Sequence, residues 1–422
     1  METLSMTWQL LRRNWTFFYP PQPAKSSDAL RFGLLGASNI APMGLIVPAK
    51  SHPEVIIAAV AARDEQKARK YAEKYNIPIV HKSYQDLIDD PAIDVIYNPL
   101  PNGLHFEWTL RALKAGKHVL LEKPSTSNAA EAESLFRHEI LKQPNAPVLL
   151  EAFHSRFHPT WQAFLSLLTP ENIASVNSSH SIPRGLFPKD DIRFNYTLSG
   201  GTLMDLGTYA VATVRDVMRQ EPEECLSAET RLMPRGFDQD CEERMTAKWR
   251  FPNGAIAEID ADLQSTGGYP LAWLTSRLPS TSFPKCRVVH KELLIEDRDI
   301  SAPQQHFVQR IVTNWNYIMP TIWHRIDVKD VHTIRSVEAG GKKDLKTWTV
   351  TEYVKVYSPE KGAGEDHWST YRYELEEFVN RIRGREGSGV WIDGEDSIKQ
   401  MRMIDSAYLK AGMKLRPSSS YA

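Results

Sequence analysis

Between Arg31 and Glu151 the chain alternates between short apolar runs and polar–apolar stretches of helical period. The runs read RFGLLG, VIIAAVAA, IDVIYNPL, KHVLLEKP and PVLLEA. Each is apolar on consecutive residues, so both of its faces need cover, as in parallel strands sandwiched between helices. The stretches between, among them PNGLHFEWTLRALKAG and TSNAAEAESLFRHEILKQ, are long enough to cross back over a sheet as helices. Repeated strand–helix units of this kind predict an α/β doubly wound parallel sheet.

After about residue 155 the rhythm changes. One helical stretch opens at the double glycine, GGTLMDLGTYAVATVRDVM. RMTAKWRFPNGAIAEIDADL then reads as a hairpin about Asn253-Gly254, a pair that accepts the positive backbone angles of a tight turn. KCRVVHKELLIED and KTWTVTEYVKVYS are further strand candidates, and the series predicts a large, mostly antiparallel sheet in an α+β domain. Two helices close the chain. On the first, Trp368, Tyr371, Leu375, Phe378, Val379 and Ile382 form one apolar face, which reads as core with no chemistry. The stretch from Ser265 to Asp344 mixes Pro, Trp and His without a clear period.

The length of 422 residues suits two domains. The expected division is a leader over 1–29, mobile or surface-packed, a nucleotide-binding domain over 30–152, a second domain over 153–416 whose last helices pack back, and a tail over 417–422. With 51 basic and 52 acidic residues, nucleic acid is not expected as the main partner. No uninterrupted apolar run reaches bilayer length, so no membrane partner is expected either. Three scattered cysteines without a CxxC pair fit a reducing compartment, and the expected location is the cytoplasm. Arg12 and Arg13 interrupt the apolar N-terminal stretch, unlike the basic start of a signal peptide.

Chemistry concentrates at the predicted strand ends. In FGLLGASNIA, Gly36 permits a tight turn, Ala37 and Ser38 are small enough for a pyrophosphate to approach, and Asn39 and Ile40 lead into a helix whose amides suit an anion. Ser38 stands where a second glycine is usual. The end of the second strand carries Ala62 and Arg63 rather than an acid for ribose hydroxyls. That favours NADP, because a guanidinium can pair with a 2′-phosphate. Asp64 reads as the cap of the next helix. Glu122-Lys123, stopped by Pro124, places a charged pair at another strand end. His154 and His158 have an i, i+4 spacing but no third ligand in matching context, so no metal is expected.

LEKP after ALKAGKHV, with PNGLH upstream, resembles the Gfo/Idh/MocA family of oxidoreductases. EAFHSRFHP, DIRFNYTLSGGTLMDLGTY and DSIKQMRMIDSAYLKAG are similar to the family's entry into its second domain, its catalytic helix and its closing helix. The resemblance runs from about Arg31 to Arg416. It implies a Rossmann domain followed by a domain with an open-faced sheet, and a homodimer through that sheet. It implies that Lys123 is catalytic, that Asp205 orients substrate, and that Tyr209 transfers the proton where many members carry histidine. Tyrosine there resembles the subgroup of dimeric dihydrodiol dehydrogenases and NADP-dependent aldose dehydrogenases. The dinucleotide would lie along Gly36–Ile40, Arg63, Pro99, Asn102, His105, Glu122 and Lys123, with Asn102 capping the helix that His105 begins. Phe153, Arg156, Arg193 and Asp205 would contact substrate.

Asp205 and Tyr209, four apart, share a helix face. A free tyrosine titrates near ~10, so the expectation is that the Lys123 ammonium stabilises the phenolate. The expected reaction is oxidation of an aldopyranose at C1 to its lactone, with D-xylose leading. A trans-dihydrodiol dehydrogenase is the alternative. A dinucleotide-sensing regulator, which need not retain Lys123 and Tyr209, is the alternative of another class. An enzyme that keeps its cofactor permanently would need a wrapping arm.

Overall fold

The computed structural model describes residues 2–267, 278–338 and 341–421. The chain opens with α1 (Glu2–Phe18). Six strands then alternate with helices: β1 (Leu30–Leu35), α2 (Val47–Ser51), β2 (Val55–Ala61), α3 (Glu65–Tyr75), β3 (Ile79–His81), α4 (Tyr84–Asp89), β4 (Val95–Asn98), α5 (His105–Lys114), β5 (His118–Glu122), α6 (Ala129–Phe136) and β6 (Leu149–Ala152). All pairings are parallel, in the order β3-β2-β1-β4-β5-β6. Five of the strands are the predicted apolar runs, and Phe32, Leu34, Val60 and Ile96 are fully buried among them. The short edge strand β3 has no fully apolar run and was not foreseen.

The second domain begins with α7 (Pro159–Ser166), β7 (Ile173–Pro183) and α8 (Thr208–Met218). It continues through β8 (Glu224–Leu232), β9 (Glu242–Arg250), β10 (Ile256–Ser265), β11 (Ser282–His290), β12 (Leu293–Ile295), β13 (Gln304–Trp315), β14 (Arg325–Glu338) and β15 (Gly341–Val354). The sheet order is β15-β14-β13-β11-β7-β10-β9-β8, with β12 beside β13. Among the described residues of this sheet, only β7 and β10 pair in parallel. The predicted hairpin is β9–β10, but its turn differs. Gly254 N donates to Phe251 O, which makes Pro252 and Asn253 the central residues, and only Gly254 takes a positive φ, of 80°. The stretch that lacked a readable period contributes β13 and β14. Residues 268–277 and 339–340 of it lie outside the described residues.

Two helices, α9 (Thr370–Ile382) and α10 (Gly394–Lys410), return to the first domain. Asp405 of α10 accepts from Ala129 N at the start of α6, and Arg137 of the first domain pairs with Glu395 at 2.7 Å. The N-terminal stretch is surface-packed. Phe17 and Arg13 of α1 are buried, Arg13 Nε donates to Thr321 O at 2.9 Å, and its guanidinium lies 3.4 Å above the Tyr357 ring. Arg12 pairs with Asp366 at 2.7 Å. The two arginines that break the signal-peptide pattern therefore help to fasten this helix to the second domain, beside buried Phe17 and the Asn14–Ile322 hydrogen bond. No helix among the described residues is long and apolar enough to cross a membrane.

Candidate active site

In the first sheet the chain runs outward from β1 through β2 in one direction and from β4 through β5 in the other, so the β1/β4 boundary is the topological switch point. A cleft of about 690 Å³ opens there, at the carboxyl ends of the strands. The first domain lines it with Gly36, Ala37, Ser38, Asn39, Ile40, Arg63, Pro99, Asn102, His105, Glu122 and Lys123, and the second domain with Arg193, Asp205 and Tyr209.

The turn after β1 is shaped for an anion. Gly36 has φ of 86°, and a Cβ there would come within 3.1 Å of Leu100. The backbone amides of Ala37, Ser38 and Asn39 donate to no acceptor among the described residues. Ser38 Oγ accepts from Ile40 N at 3.2 Å, and Tyr71 of α3 donates to Ser38 O, so the serine braces the turn that a glycine would leave loose. Ala41 is fully buried as the close helix–sheet contact requires. Gly44, in the helix that follows, admits no side chain either, because its Cβ would run into the Tyr97 hydroxyl. Pro42 begins the helix and has no N–H, so the anion-binding amides belong to the turn itself.

At the far end of the cleft, Arg63 is joined by Lys67, one turn into α3. Asp64, which also lines this wall, caps α3 by accepting from Lys67 N at Oδ1, at 3.0 Å. Two cations at that wall suit a phosphorylated ribose. Lys67 carries no signal in the sequence, because a lysine on a polar helix face is ordinary. These features together fit a nicotinamide dinucleotide.

Of the two expectations about PNGLH, one is corrected. Asn102 does not cap a helix. Its Nδ2 donates to Ser199 O of the second domain at 3.1 Å, while a Cβ on Gly103 would press on Thr197 and Leu198. The domains meet too closely here for the side chain to fold back. His105 does begin α5, and its fully buried ring bridges the Pro124 and Leu100 carbonyls at 2.8 and 2.7 Å.

Lys123, Asp205 and Tyr209 converge. Lys123 Nζ donates to Asp205 O at 3.0 Å, lies 3.5 Å from Asp205 Oδ1 and sits 4.5 Å from the Tyr209 ring centre. Arg193 Nε donates to Asp205 Oδ2 at 2.9 Å, and its Nη1 donates to Asp191. Burial acts to raise the Asp205 carboxyl, but Arg193 and Lys123 outweigh it and hold its pKa below the usual value. Leu203–Gly207 is a π-helical turn that runs into α8, the kind of bulge that re-aims side chains at functional sites. The double glycine before it is sterically required. A Cβ on Gly200 would meet Arg193 O at 2.7 Å, and Gly201 has φ of 124° against Arg416 and Glu242. Next to Lys123, buried Glu122 accepts from the Tyr97 hydroxyl at 2.7 Å, and its carboxyl is raised by burial.

The expected lysine–phenolate contact is not what the structure has. The ammonium faces the Tyr209 ring, not its hydroxyl. Tyr209 Oη instead shares a 2.8 Å hydrogen bond with His154 Nε2. Burial, reinforced by Tyr371, Glu122, Asp205 and Glu374, pushes the phenol well above its ordinary value.

Arg156 and Phe153 lie outside the cleft. The buried Arg156 pairs with Asp216 at 2.8 Å and with Asp396, so its charge is consumed inside the second domain. Phe153 is buried edge-on against Tyr209, with ring centres 6.2 Å apart. Three other residues come forward. Tyr371, assigned to the core stripe, lines the cleft, because the first turn of α9 passes behind Tyr209. His180 of β7 lines it too, with Nδ1 unpartnered and its pKa lowered by burial to about 4. His154 stands behind Tyr209. His158 is engaged elsewhere, at Thr160 N and Thr321.

A doubly wound dinucleotide-type cleft closed by a lysine, an aspartate and a tyrosine defines an oxidoreductase. Residues 30–144 match the model of the oxidoreductase family with an NAD-binding Rossmann fold, and residues 172–287 match that of the GFO/IDH/MocA C-terminal domain. The chain belongs to the Gfo/Idh/MocA family of oxidoreductases. It is 35% identical over 240 residues to a D-xylose 1-dehydrogenase (NADP(+)) of Haloferax volcanii, covering 56% of this chain and 70% of the relative. It is 32% identical over 223 residues to a trans-1,2-dihydrobenzene-1,2-diol dehydrogenase of Xenopus tropicalis, covering 50% and 63%. The fold is similar to that of a 3-ketoreductase from Actinomadura kijaniata solved with NADP and TDP-benzene, with a TM-score of 0.62, 21% identity, and coverage of 90% and 98%.

Proposed function

We propose that this protein is an NADP-dependent dehydrogenase that oxidises an aldopyranose at C1 to the lactone, with D-xylose as leading substrate. The observation that carries the reading is one cleft with Arg63 and Lys67 at one end and Lys123, Asp205 and Tyr209 at the other. The xylose-dehydrogenase relative supports the substrate. The phosphates would rest on the Ala37–Asn39 amides, with the 2′-phosphate between Arg63 and Lys67. A nicotinamide bound in the cleft supplies the acceptor for the hydride that leaves the substrate carbon. The chain's own groups do the rest. Asp205, held ionised by Arg193 and Lys123, accepts a substrate hydroxyl and orients it. Tyr209 Oη takes the proton of the hydroxyl being oxidised. Lys123 supplies the positive charge at this wall. The reading includes a cytoplasmic location and a homodimer through the second sheet.

A second reading, a trans-dihydrodiol dehydrogenase, is favoured by the apolar outer wall of Ile182, Leu186, Phe187, Ile192, Leu206 and Ile318. The test is NADPH formation by purified protein with D-xylose, D-glucose, L-arabinose and a trans-dihydrodiol, each with NADP and NAD, beside Lys123→Met and Tyr209→Phe. Turnover of one aldose with NADP, lost in both variants, is expected. Turnover of the diol alone moves the assignment to the second reading. Tight NADPH binding without turnover of any of them refutes the aldose reading and points to a sensing protein.

A further inference from the structure

His154 follows β6 and is fully buried between two hydroxyls. Its Nε2 lies 2.8 Å from Tyr209 Oη and its Nδ1 lies 2.7 Å from Thr370 Oγ1, at the start of α9. The ring stacks on Tyr371, with centres 3.8 Å apart. A neutral imidazole has one N–H and one acceptor nitrogen, so the two contacts cannot both be donations. Thr370 decides between them, because Tyr209 lines the cleft and is also hydrogen-bonded to Tyr371, so its hydroxyl hydrogen has an outlet besides His154. Thr370 is buried, and His154 Nδ1 is the one acceptor its hydroxyl hydrogen has among the described residues. If Nδ1 carried the proton, that hydrogen would be left buried and unmatched. Thr370 therefore donates to Nδ1, the ring proton sits on Nε2, and Tyr209 Oη is the acceptor.

We propose that His154 is a positioning residue for Tyr209: a neutral imidazole, locked by Thr370 with its proton on Nε2, that donates a hydrogen bond to the Tyr209 oxygen and favours its anionic form. The inference rests on the reading of Tyr209 as the acid–base group. It assigns to His154 the stabilisation that the sequence suggested for Lys123, whose ammonium faces the ring and Asp205. A donor aimed at an oxygen bonds the phenolate more strongly than the phenol, so it offsets the burial that raises Tyr209. Burial and Lys123 also keep the imidazole uncharged. The other groups facing Tyr209 are Glu122 at the end of β5, Asp205 on the π-helical turn, and Tyr371 and Glu374 on α9. In alcohol oxidation the substrate O–H proton passes to Tyr209 Oη and the hydride leaves with the C–H electrons. His154 keeps its own proton throughout.

The first arm of the test needs neither cofactor nor substrate. Magic-angle-spinning NMR of microcrystalline protein labelled with 13C,15N-histidine identifies the His154 signal among 13 histidines by its loss in His154→Gln. The displaced Nδ1 shift in Thr370→Val identifies it should the glutamine variant not fold. The expected result is a protonated nitrogen bonded to Cδ2 and a bare nitrogen bonded to Cγ. The opposite tautomer, or a doubly protonated ring, overturns the proposal. The second arm is the pH profile of kcat/KM for the alcohol. In His154→Phe the rising limb should move at least one pH unit to the alkaline side, about tenfold lower activity below the limb, with unchanged KM. His154→Gln, which retains an N–H donor, should fall between. A uniform loss of kcat at every pH would mean a merely structural role and would overturn the proposal. If the wild type oxidises no alcohol tested, the functional reading fails, and the tautomer still decides the His154 geometry.

Discussion

The π-helical turn that carries Asp205 is anchored by a fully buried ion pair, and Arg416→Met tests what that anchor contributes. Arg416 and Glu242 are both fully shielded, Arg416 Nε also donates to Gly200 O at 2.6 Å, and the pair fills the space beside Gly201. Methionine keeps much of the volume and removes the charge. Stranding one member of a buried pair costs ~3–5 kcal/mol. Glu242 would retain Leu203 N at 2.8 Å and the Tyr408 hydroxyl at 3.0 Å as donors, which places the loss near the lower limit, ~3 kcal/mol. For a domain of this size that corresponds to a fall in Tm of roughly 6–12 °C. Urea unfolding followed by circular dichroism at pH 7 measures the loss. Adding Glu242→Gln to Arg416→Met should recover at least half of it, because the stranded charge is gone. A loss below ~1 kcal/mol in Arg416→Met, or simple additivity in the double variant, would refute the reasoning.

Arg63→Ala should raise KM for NADP by roughly 10- to 100-fold, the worth of a charge-assisted phosphate contact, and leave KM for NAD within about twofold. Steady-state kinetics with both cofactors decides it, and equal losses would remove the 2′-phosphate assignment. Arg156→Met should leave substrate KM within about twofold yet lower thermal stability, because Asp216 would lose its paired cation, while Asp396 would keep Arg215 at 2.8 Å. A large KM effect at unchanged stability would restore Arg156 to the substrate site. Burial raises Glu151 from 4.5 to about 7. Its folded pKa exceeds its unfolded one, so the stability it contributes is full below pH 4.5 and is lost as pH rises through about 7. Unfolding free energies from pH 4 to 8 should show that decline in the wild type and a flatter profile in Glu151→Gln.

Sequence by itself determined the first domain. Runs apolar on both faces can be satisfied only by strands covered on both sides, and that local demand, repeated, dictates the parallel sheet and puts its loops at one end. It also put Gly36, Arg63 and Lys123 at strand ends, where ligands bind in this topology, whereas Asp205 and Tyr209 are singled out by the family resemblance. Tertiary structure decided what those residues touch. Arg193 and Arg156 are alike as sequence, each an arginine in a short motif. One lies in the cleft against Asp205, and the other is sealed inside by Asp216 and Asp396. Tyr371 reads as one more apolar position of a helix stripe until α9 passes behind Tyr209. His154 had only an i, i+4 spacing to recommend it, and its partners Tyr209 and Thr370 lie 55 and 216 residues away. Periodicity reports which face of an element is buried. It carries no information on which distant side chain lies against that face, and a hydrogen bond at 2.8 Å depends on that.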